Sequence, residues 1–438
     1  MANLSVGELY KCIDRSLDLF DRTYSSAGPG IGGWYHRLDS NNIPGPSATA
    51  VALHSYLLVN KLPARVTEAL AFLKSRQVTS PDKLINGGWS VNTSAGRPVL
   101  EATSLVVRLL GFGHLMVGSD APDAVSGYQW IVANQNEDGG WGSFVDQPSR
   151  VWLTAMAIRS LAEINLNDAA VASGVEWLLR SRDPKMNAWG EQPQGPATTT
   201  HTSFVLTCLV ESQIGEQRPY VNDAIRRGFG WLQANANTAG LYDDSARIES
   251  YNISYNEGGR AVTWQNAVWH PSLPYTLSAL IRHPDGGDPR LIGAAINRIL
   301  TSQSADGRWP NADGSAGISV WSVWPFIDSL SDFIYKSQIH RDDRITLLPE
   351  RSILIRRGPD VSVSLARLAW KDSSASSIAL VRRYWATVLL ALTLIVGAAL
   401  VFADILDLRS FLLALVLPVA LVAIQELMAR TRTTSRRS

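Results

Sequence analysis

The chain has 438 residues, with 40 Lys and Arg against 39 Asp and Glu and 46% hydrophobic residues. That balance leaves no broad basic face for nucleic acid and no acidic field for cations, while the length allows two or three domains. Only two cysteines occur, Cys12 and Cys208, far apart and without CxxC spacing, which argues against a disulfide framework and for a reducing compartment.

In chain order, the first segment, Met1 to Phe20, carries Glu8, Lys11, Asp14, Arg15 and Asp18 and holds no secretory h-region. From there a repeat begins. Gly-x-Trp or a near relative recurs at Gly32-Gly33-Trp34, Gly87-Gly88-Trp89, Gly139-Gly140-Trp141, Asn187-Ala188-Trp189, Gly240-Leu241-Tyr242 and Gly307-Arg308-Trp309. The intervals of 55, 52, 48, 53 and 67 residues each fit two helices and their connections. Upstream of these stand Phe72-Leu73 with Gln77, Trp130-Ile131 with Gln135, Trp177-Leu178 with Arg182, Trp231-Leu232 with Ala236, and Gln303, each ending a helical stretch with one charged face. Downstream, Ser47, Glu101, Trp152 and His201 align, with Thr49, Thr103, Thr154 and Ser203 two residues later. There the stretches are apolar nearly all round, as a helix buried on every side requires. Each repeat therefore predicts an amphipathic outer helix and an apolar inner one. Six pairs close into a ring, because stacking buries faces that no single pair could cover.

The wordings Gln-Asn-Glu-Asp-Gly-Gly-Trp-Gly and Gln-Ser-Ala-Asp-Gly-Arg-Trp resemble the QW repeat of squalene and terpene cyclases, and the layout is similar to prenyltransferase β subunits. The resemblance covers residues 10 to 335. It implies an (α/α)6 toroid in which Gln135 with Trp141, and Gln303 with Trp309, tie neighbouring repeats together. The family's chemistry does not come with it. The cyclase Asp-x-Asp-Asp is absent, its nearest relative being Tyr242-Asp243-Asp244, and Asp342-Asp343 beside Arg341 and Arg344 reads as surface. Leu206-Thr207-Cys208 lacks the Asp-x-Cys of the prenyltransferase zinc site. His201 lies seven residues away, roughly 10 Å at 1.5 Å per residue, too far to share a metal with Cys208. Complement-type thioester domains share the toroid, but Trp189-Gly190-Glu191-Gln192 puts Trp where their reactive Cys stands. No metal, no cofactor and no nucleic-acid partner is expected, and catalysis is doubtful.

What the pattern offers instead is a cavity lining at the inner-helix N-termini. The candidate ligand-binding residues are Trp152, His201, Trp264, Trp269, His270, Trp321 and Trp324, whose π faces suit an isoprenoid or other apolar lipid and would also stack on a sugar. If an acid exists, Glu101 or Asp244 supplies it, with His201 a weaker catalytic candidate. Tyr251 to Gly259 reads as a polar aromatic loop lengthening the fifth repeat.

Past residue 335 the periodicity stops. Ile345 to Leu348, Ser352 to Arg356 and Val361 to Leu368 read as short strands, making residues 336–383 either a small β element or a basic juxtamembrane connector. Residues 384–429 read as a two-span transmembrane hairpin. Trp385 to Ala403 is free of charge over nineteen residues, and Ser410 to Ala429 holds Pro418 and Glu426. Arg382 and Arg383 before it and the basic tail 430–438 after it place the toroid and tail on the cytoplasmic side of a membrane. Three functions fit this reading. They are a membrane-anchored toroid binding an isoprenoid without cyclising it, a sensor or scaffold subunit with a protein partner in a stress or defence system, and a glycan-processing toroid using Glu101.

Overall fold

A computed structural model describes residues 3–363, apart from the short segments 41–43, 92–96, 114–121, 166–168, 214–217, 243–248, 258–259, 313–316, 338–342, 349–351 and 358–360. Twelve α-helices stand among the described residues: α1 Val6–Thr23, α2 Pro46–Leu57, α3 Val66–Ser75, α4 Leu100–Gly113, α5 Ala124–Ala133, α6 Val151–Ile164, α7 Ala169–Arg180, α8 Thr199–Glu211, α9 Pro219–Asn235, α10 Ser272–Ile281, α11 Pro289–Ser302 and α12 Trp324–Lys336. Odd-numbered helices bury one face; even-numbered ones are buried on nearly all sides, as α2 and α6 show. The even helices pack in the order α2, α4, α6, α8, α10, α12 and back to α2, closing an inner ring inside the odd ones. This is the α/α toroid that the repeats predict.

The closing details are repeated too. Each motif indole donates to a carbonyl near the end of its own outer helix: Trp34 to Phe20, Trp89 to Leu73, Trp141 to Ile131, Trp189 to Leu178 and Trp309 to Ile299, at 2.7–2.8 Å. In the first four copies the backbone N–H of the same Trp donates to a threonine hydroxyl on the inner helix, namely Thr49, Thr103, Thr154 and Thr202. In the fourth repeat the role falls to Thr202 and not to the aligned Ser203. The position matching Trp152 is therefore Thr200, one residue before His201. Gln77 grips the backbone of Asp123 at the start of α5 through both amide atoms, 2.7 and 2.8 Å, and Gln135 reaches Ala170 of α7. At the seam, Gln303 donates to Cys12 O and Ser16 donates to Gly307 O, so the last repeat is tied to α1.

The first residue of the Gly-x-Trp turn carries a left-handed backbone at Gly87, Gly139 and Gly307, with Asn187 (φ 54) in the fourth copy. A side chain at Gly87 or Gly139 would also strike the carbonyl of Ser126 or Ser173 on the following outer helix. Glycine is needed there both for the φ and for the approach of one repeat to the next.

Strands add what an all-α reading leaves out. β1 (Asn3–Ser5) pairs with β6 (Asp343–Leu348), which pairs with β7 (Ser352–Arg357) and then β8 (Val361–Val363), all antiparallel. The connector's short strands are thus real, and the N-terminus supplies a fourth. A small hairpin, β2 (Ser25–Gly28) with β3 (Ile31–Gly33), precedes Trp34. The expected loop of the fifth repeat is a second hairpin, β4 (Glu249–Glu257) with β5 (Arg260–Val268), in unbroken register from Glu249–Val268 to Glu257–Arg260. Alternation at period two in Tyr251, Ile253 and Tyr255 accounts for it.

The expected membrane placement needs correction. Among the described residues no helix is long and apolar enough to cross a membrane. The longest, α1 with 18 residues, is amphipathic, and the apolar inner helices run 10–14 residues, short of the roughly 20 a bilayer core demands. The proposed hairpin at 384–429, with the basic tail, lies outside the described residues.

Candidate functional site

Parallel inner helices gather their N-terminal residues at one pole of the ring and their C-terminal residues at the other. At the first pole Trp152, in the first turn of α6, is stacked between Phe204 of α8 (centroids 3.8 Å) and His270 (3.9 Å), and meets Tyr275 of α10 edge-on at 5.2 Å. Because α10 is not adjacent to α6 in the ring, a Trp152 that touches it must project inward across the centre. His201 stands edge-on to Trp152 at 6.1 Å, its Nδ1 2.8 Å from the Thr198 hydroxyl that caps α8. Trp152 is 6% exposed, so the aromatic groups fill the centre against one another.

A second aromatic group closes the α12–α2 seam. Trp321, in a short 3-10 turn before α12, and Trp324 lie 5.7 Å apart. Trp321 donates its indole N–H to His36 Nδ1 (2.9 Å), and Trp324 donates to His54 Nδ1 (3.4 Å). Burial pushes His36 down to about 4, His270 down to about 3 and His54 well below the usual imidazole range. All three are neutral at pH 7, and two accept from indoles, which a protonated ring could not do.

The predicted residues are therefore divided. Trp152, His201 and His270 come together, Trp321 and Trp324 form a separate pair, and Trp269 is half-buried beside His270 in sequence. Glu101, half-buried in the first turn of α4, acts electrostatically on Tyr275. Trp264 belongs to β5, its side chain outside the described residues, as is Asp244.

The opposite pole was not anticipated. All six inner helices send an ionisable group there: His54, Arg108, Arg159, Glu211, Arg282 at the end of α10, and Asp328 with Asp332 on α12. Arg159 donates to both oxygens of Glu211 at 2.7 and 3.1 Å, Arg282 also reaches Glu211 at 2.8 Å, and Arg282 and Ser278 both donate to Asp332. Burial opposes the charge on Glu211, but Arg159, Arg282 and Arg108 outweigh it and hold the carboxyl well below its ordinary range. Asp328, 5% exposed, goes the other way. Burial first, then the neighbouring Asp332, push it up to about 6 against the pull of Arg108, Arg159 and Arg282. A signal existed in the sequence: His54, Arg108 and Arg159 each stand five residues after the aligned threonine, an ionisable group within an otherwise apolar stretch of the helix.

The Asp328 shift has a measurable sign. An acid whose folded pKa is raised favours folding while protonated, and that contribution is lost as pH climbs from about 4 to about 6. Asp328→Asn should match the parent near pH 4 and exceed it by about 3 kcal/mol at pH 7–8, since one pKa unit is worth a little over 1 kcal/mol. Melting curves across that range check this; equal stability of the two proteins at pH 8 would contradict it.

Known proteins place this geometry in a wider group. The family model of the A-macroglobulin TED domain matches residues 120–255. A probable squalene–hopene cyclase of Sinorhizobium fredii is 23% identical over 249 residues, 51% of this chain and 36% of that protein. A drimenyl diphosphate synthase of Streptantibioticus cattleyicolor is 25% identical over 278 residues, 63% and 47% of the two chains. The chain thus spans less than half the length of these curated relatives. Among solved structures, cellobiose 2-epimerase from Bacillus thermoamylovorans superimposes with a TM-score of 0.55 at 14% identity, covering 76% of this chain and 99% of that one. A GH76 α-mannanase from Bacteroides thetaiotaomicron gives 0.53 at 12%, covering 75% and 96%. What the chain shares with the cyclases is the α/α toroid of the squalene and terpene cyclases, and these sugar-enzyme structures have a related ring.

Proposed function

We propose that the toroid binds an isoprenoid or comparable apolar chain at its aromatic pole and does not cyclise it. The observation that carries this is the inward stack of Phe204, Trp152 and His270 with Tyr275 edge-on, an apolar and polarisable surface at the centre of a cyclase-like ring. The sequence likeness to two terpenoid cyclases supports the same ligand class. Entry of a chain requires the Trp152 ring to swing out of its stack, so the site is one that opens on binding.

Titration of geranylgeraniol against intrinsic tryptophan fluorescence tests the reading. Saturable binding is expected, weakened at least tenfold by Trp152→Ala in protein that remains folded. Absence of saturation, or an unchanged affinity in the variant, sinks it. A second reading has its own support in the superposition on the epimerase and mannanase and in the charged pole, which suit a sugar. Saturable binding of cellobiose or mannobiose in place of geranylgeraniol would favour that reading.

A further inference from the structure

A cavity of about 560 Å³ opens between α1 and the connection from α2 to α3, apart from the central aromatic stack. That volume takes a small organic molecule. Its apolar lining includes the buried side chains of Leu17, Trp34 and Tyr56, with Tyr24 edge-on to Trp34 at 5.1 Å. Leu62, 59% exposed, gives the cavity an apolar edge open to solvent.

Asp18, Asp21, Lys61 and Arg65 also line it, equal in sign but not equally engaged. Lys61 is paired with Asp14 at 2.7 Å. Arg65 lies over the Tyr24 ring at 4.9 Å and has Glu68 at 3.8 Å. Asp14 and Glu68 therefore answer the two cations, and Asp18 and Asp21 are left without an ion-pair partner among the described residues. Asp21 does accept from the Tyr56 hydroxyl at 2.6 Å. Burial and then Asp21 itself raise the phenol's pKa and keep its proton on, so this bond solvates the carboxylate without neutralising it. The remaining cations of α1 do not make up the difference. Arg15 donates to Gln303 and Arg22 to the Asp306 carbonyl, both just after α11, while Lys11 stands two turns before Asp18, roughly 10 Å along the helix.

Asp18 and Asp21 stand three residues apart on α1, close enough for one cation to reach both. Two free carboxylates beside aromatic and aliphatic walls suit an ammonium or guanidinium on an apolar stem, the charge going to the acids and the stem to the rings. A bare metal ion would leave the walls unused, and an anion would be repelled. We propose that this cavity binds a small organic cation, an amine or guanidine on an apolar stem, with Asp18 and Asp21 taking the charge and Leu17, Tyr24 and Tyr56 the stem. The site is independent of the lipid reading above.

Calorimetric titration of the full chain with 2-phenylethylamine and its neutral counterpart 2-phenylethanol tests this, alongside Asp18→Asn and Asp21→Asn. The amine is expected to saturate the site and to bind at least roughly tenfold more tightly than the alcohol. Asp18→Asn, a change at an exposed position, should remove most of that preference while the melting temperature stays that of the parent. Asp21→Asn should remove it too. The preference should also narrow as salt is raised, because the carboxylates at the rim are screened. Equal affinity for amine and alcohol, or a preference that survives in both variants, overturns the proposal, as does the absence of saturable binding by the amine. None of these outcomes bears on geranylgeraniol, whose binding is judged at Trp152.

Discussion

Glu211→Gln is expected to destabilise the protein by roughly 3–5 kcal/mol at neutral pH, the range for removing one partner of a buried ion pair. The side chain holds two guanidiniums, accepting from Arg159 with both oxygens and from Arg282 with one of them. An amide of the same shape keeps one acceptor but turns an N–H₂ group toward one of the arginines, whose charge is then uncompensated at the centre of the ring. The loss also spreads, since these residues link α6, α8, α10 and, through Asp332, α12. The pH dependence gives an independent check. A carboxyl whose folded pKa is depressed contributes stability that is fully present above its unfolded value of 4.5 and fades as pH falls toward the folded one. The gap between parent and variant, read from urea melts, should be full at pH 7 and shrink below pH 4.5. A constant gap down to pH 3 would show that Glu211 acts through shape and not charge. No gap at pH 7 would show that the network contributes nothing to holding the ring.

Why the ring itself was legible and this network was not follows from the kind of information each uses. The toroid rests on features that recur: an indole that must reach its own outer helix, a glycine whose φ no other residue takes easily, and a glutamine spanning to the next repeat. Recurrence made them visible even where single copies fail, as with Arg182 and Ala236 in the Gln slot. The charged pole recurs only in part. His54, Arg108 and Arg159 are aligned, but Glu211, Arg282, Asp328 and Asp332 fall at different depths on their helices, and only the closed ring brings them together. The slip in the fourth repeat has a local cause. Taking His201 as the counterpart of Trp152 put Ser203 where Thr202 makes the hydrogen bond, because an Asn in the left-handed region replaces the usual glycine and blurs the alignment. The insert that lengthens the fifth repeat reads as loop for a different reason, the brevity of the alternating signal in Tyr251 to Gly259 beside long helical periods.

Trp141→Ala is the second large effect expected, about 3–5 kcal/mol for truncating a fully buried indole. Trp141 is 0% exposed and joins three elements at once. Its indole N–H donates to the Ile131 carbonyl on α5, its backbone N–H donates to the Thr154 hydroxyl on α6, and its six-membered ring lies where a side chain on Gly174 of α7 would have to go, 2.6 Å from an added Cβ. The same Gly-to-indole contact recurs at Gly127 with Trp89 and at Gly228 with Trp189. Each of these glycines stands three residues before an outer-helix tryptophan, Trp130, Trp177 and Trp231. The repeat Trp is thus the peg by which one pair of helices seats on the next, and its loss opens a cavity that rigid neighbours cannot close. Trp141→Phe should recover part of the packing but leave the Ile131 carbonyl without its donor, giving an intermediate melt. Gly174→Trp cannot fill the cavity in Trp141→Ala, since the ring must approach from the α5–α6 side; Gly174→Ala alone should destabilise the parent by forcing the indole aside. If Trp141→Ala melts with the parent while losing geranylgeraniol binding, Trp141 belongs to the ligand site and the division between structural and central aromatics is wrong. Loss of stability with binding retained in the folded fraction is the outcome the geometry requires.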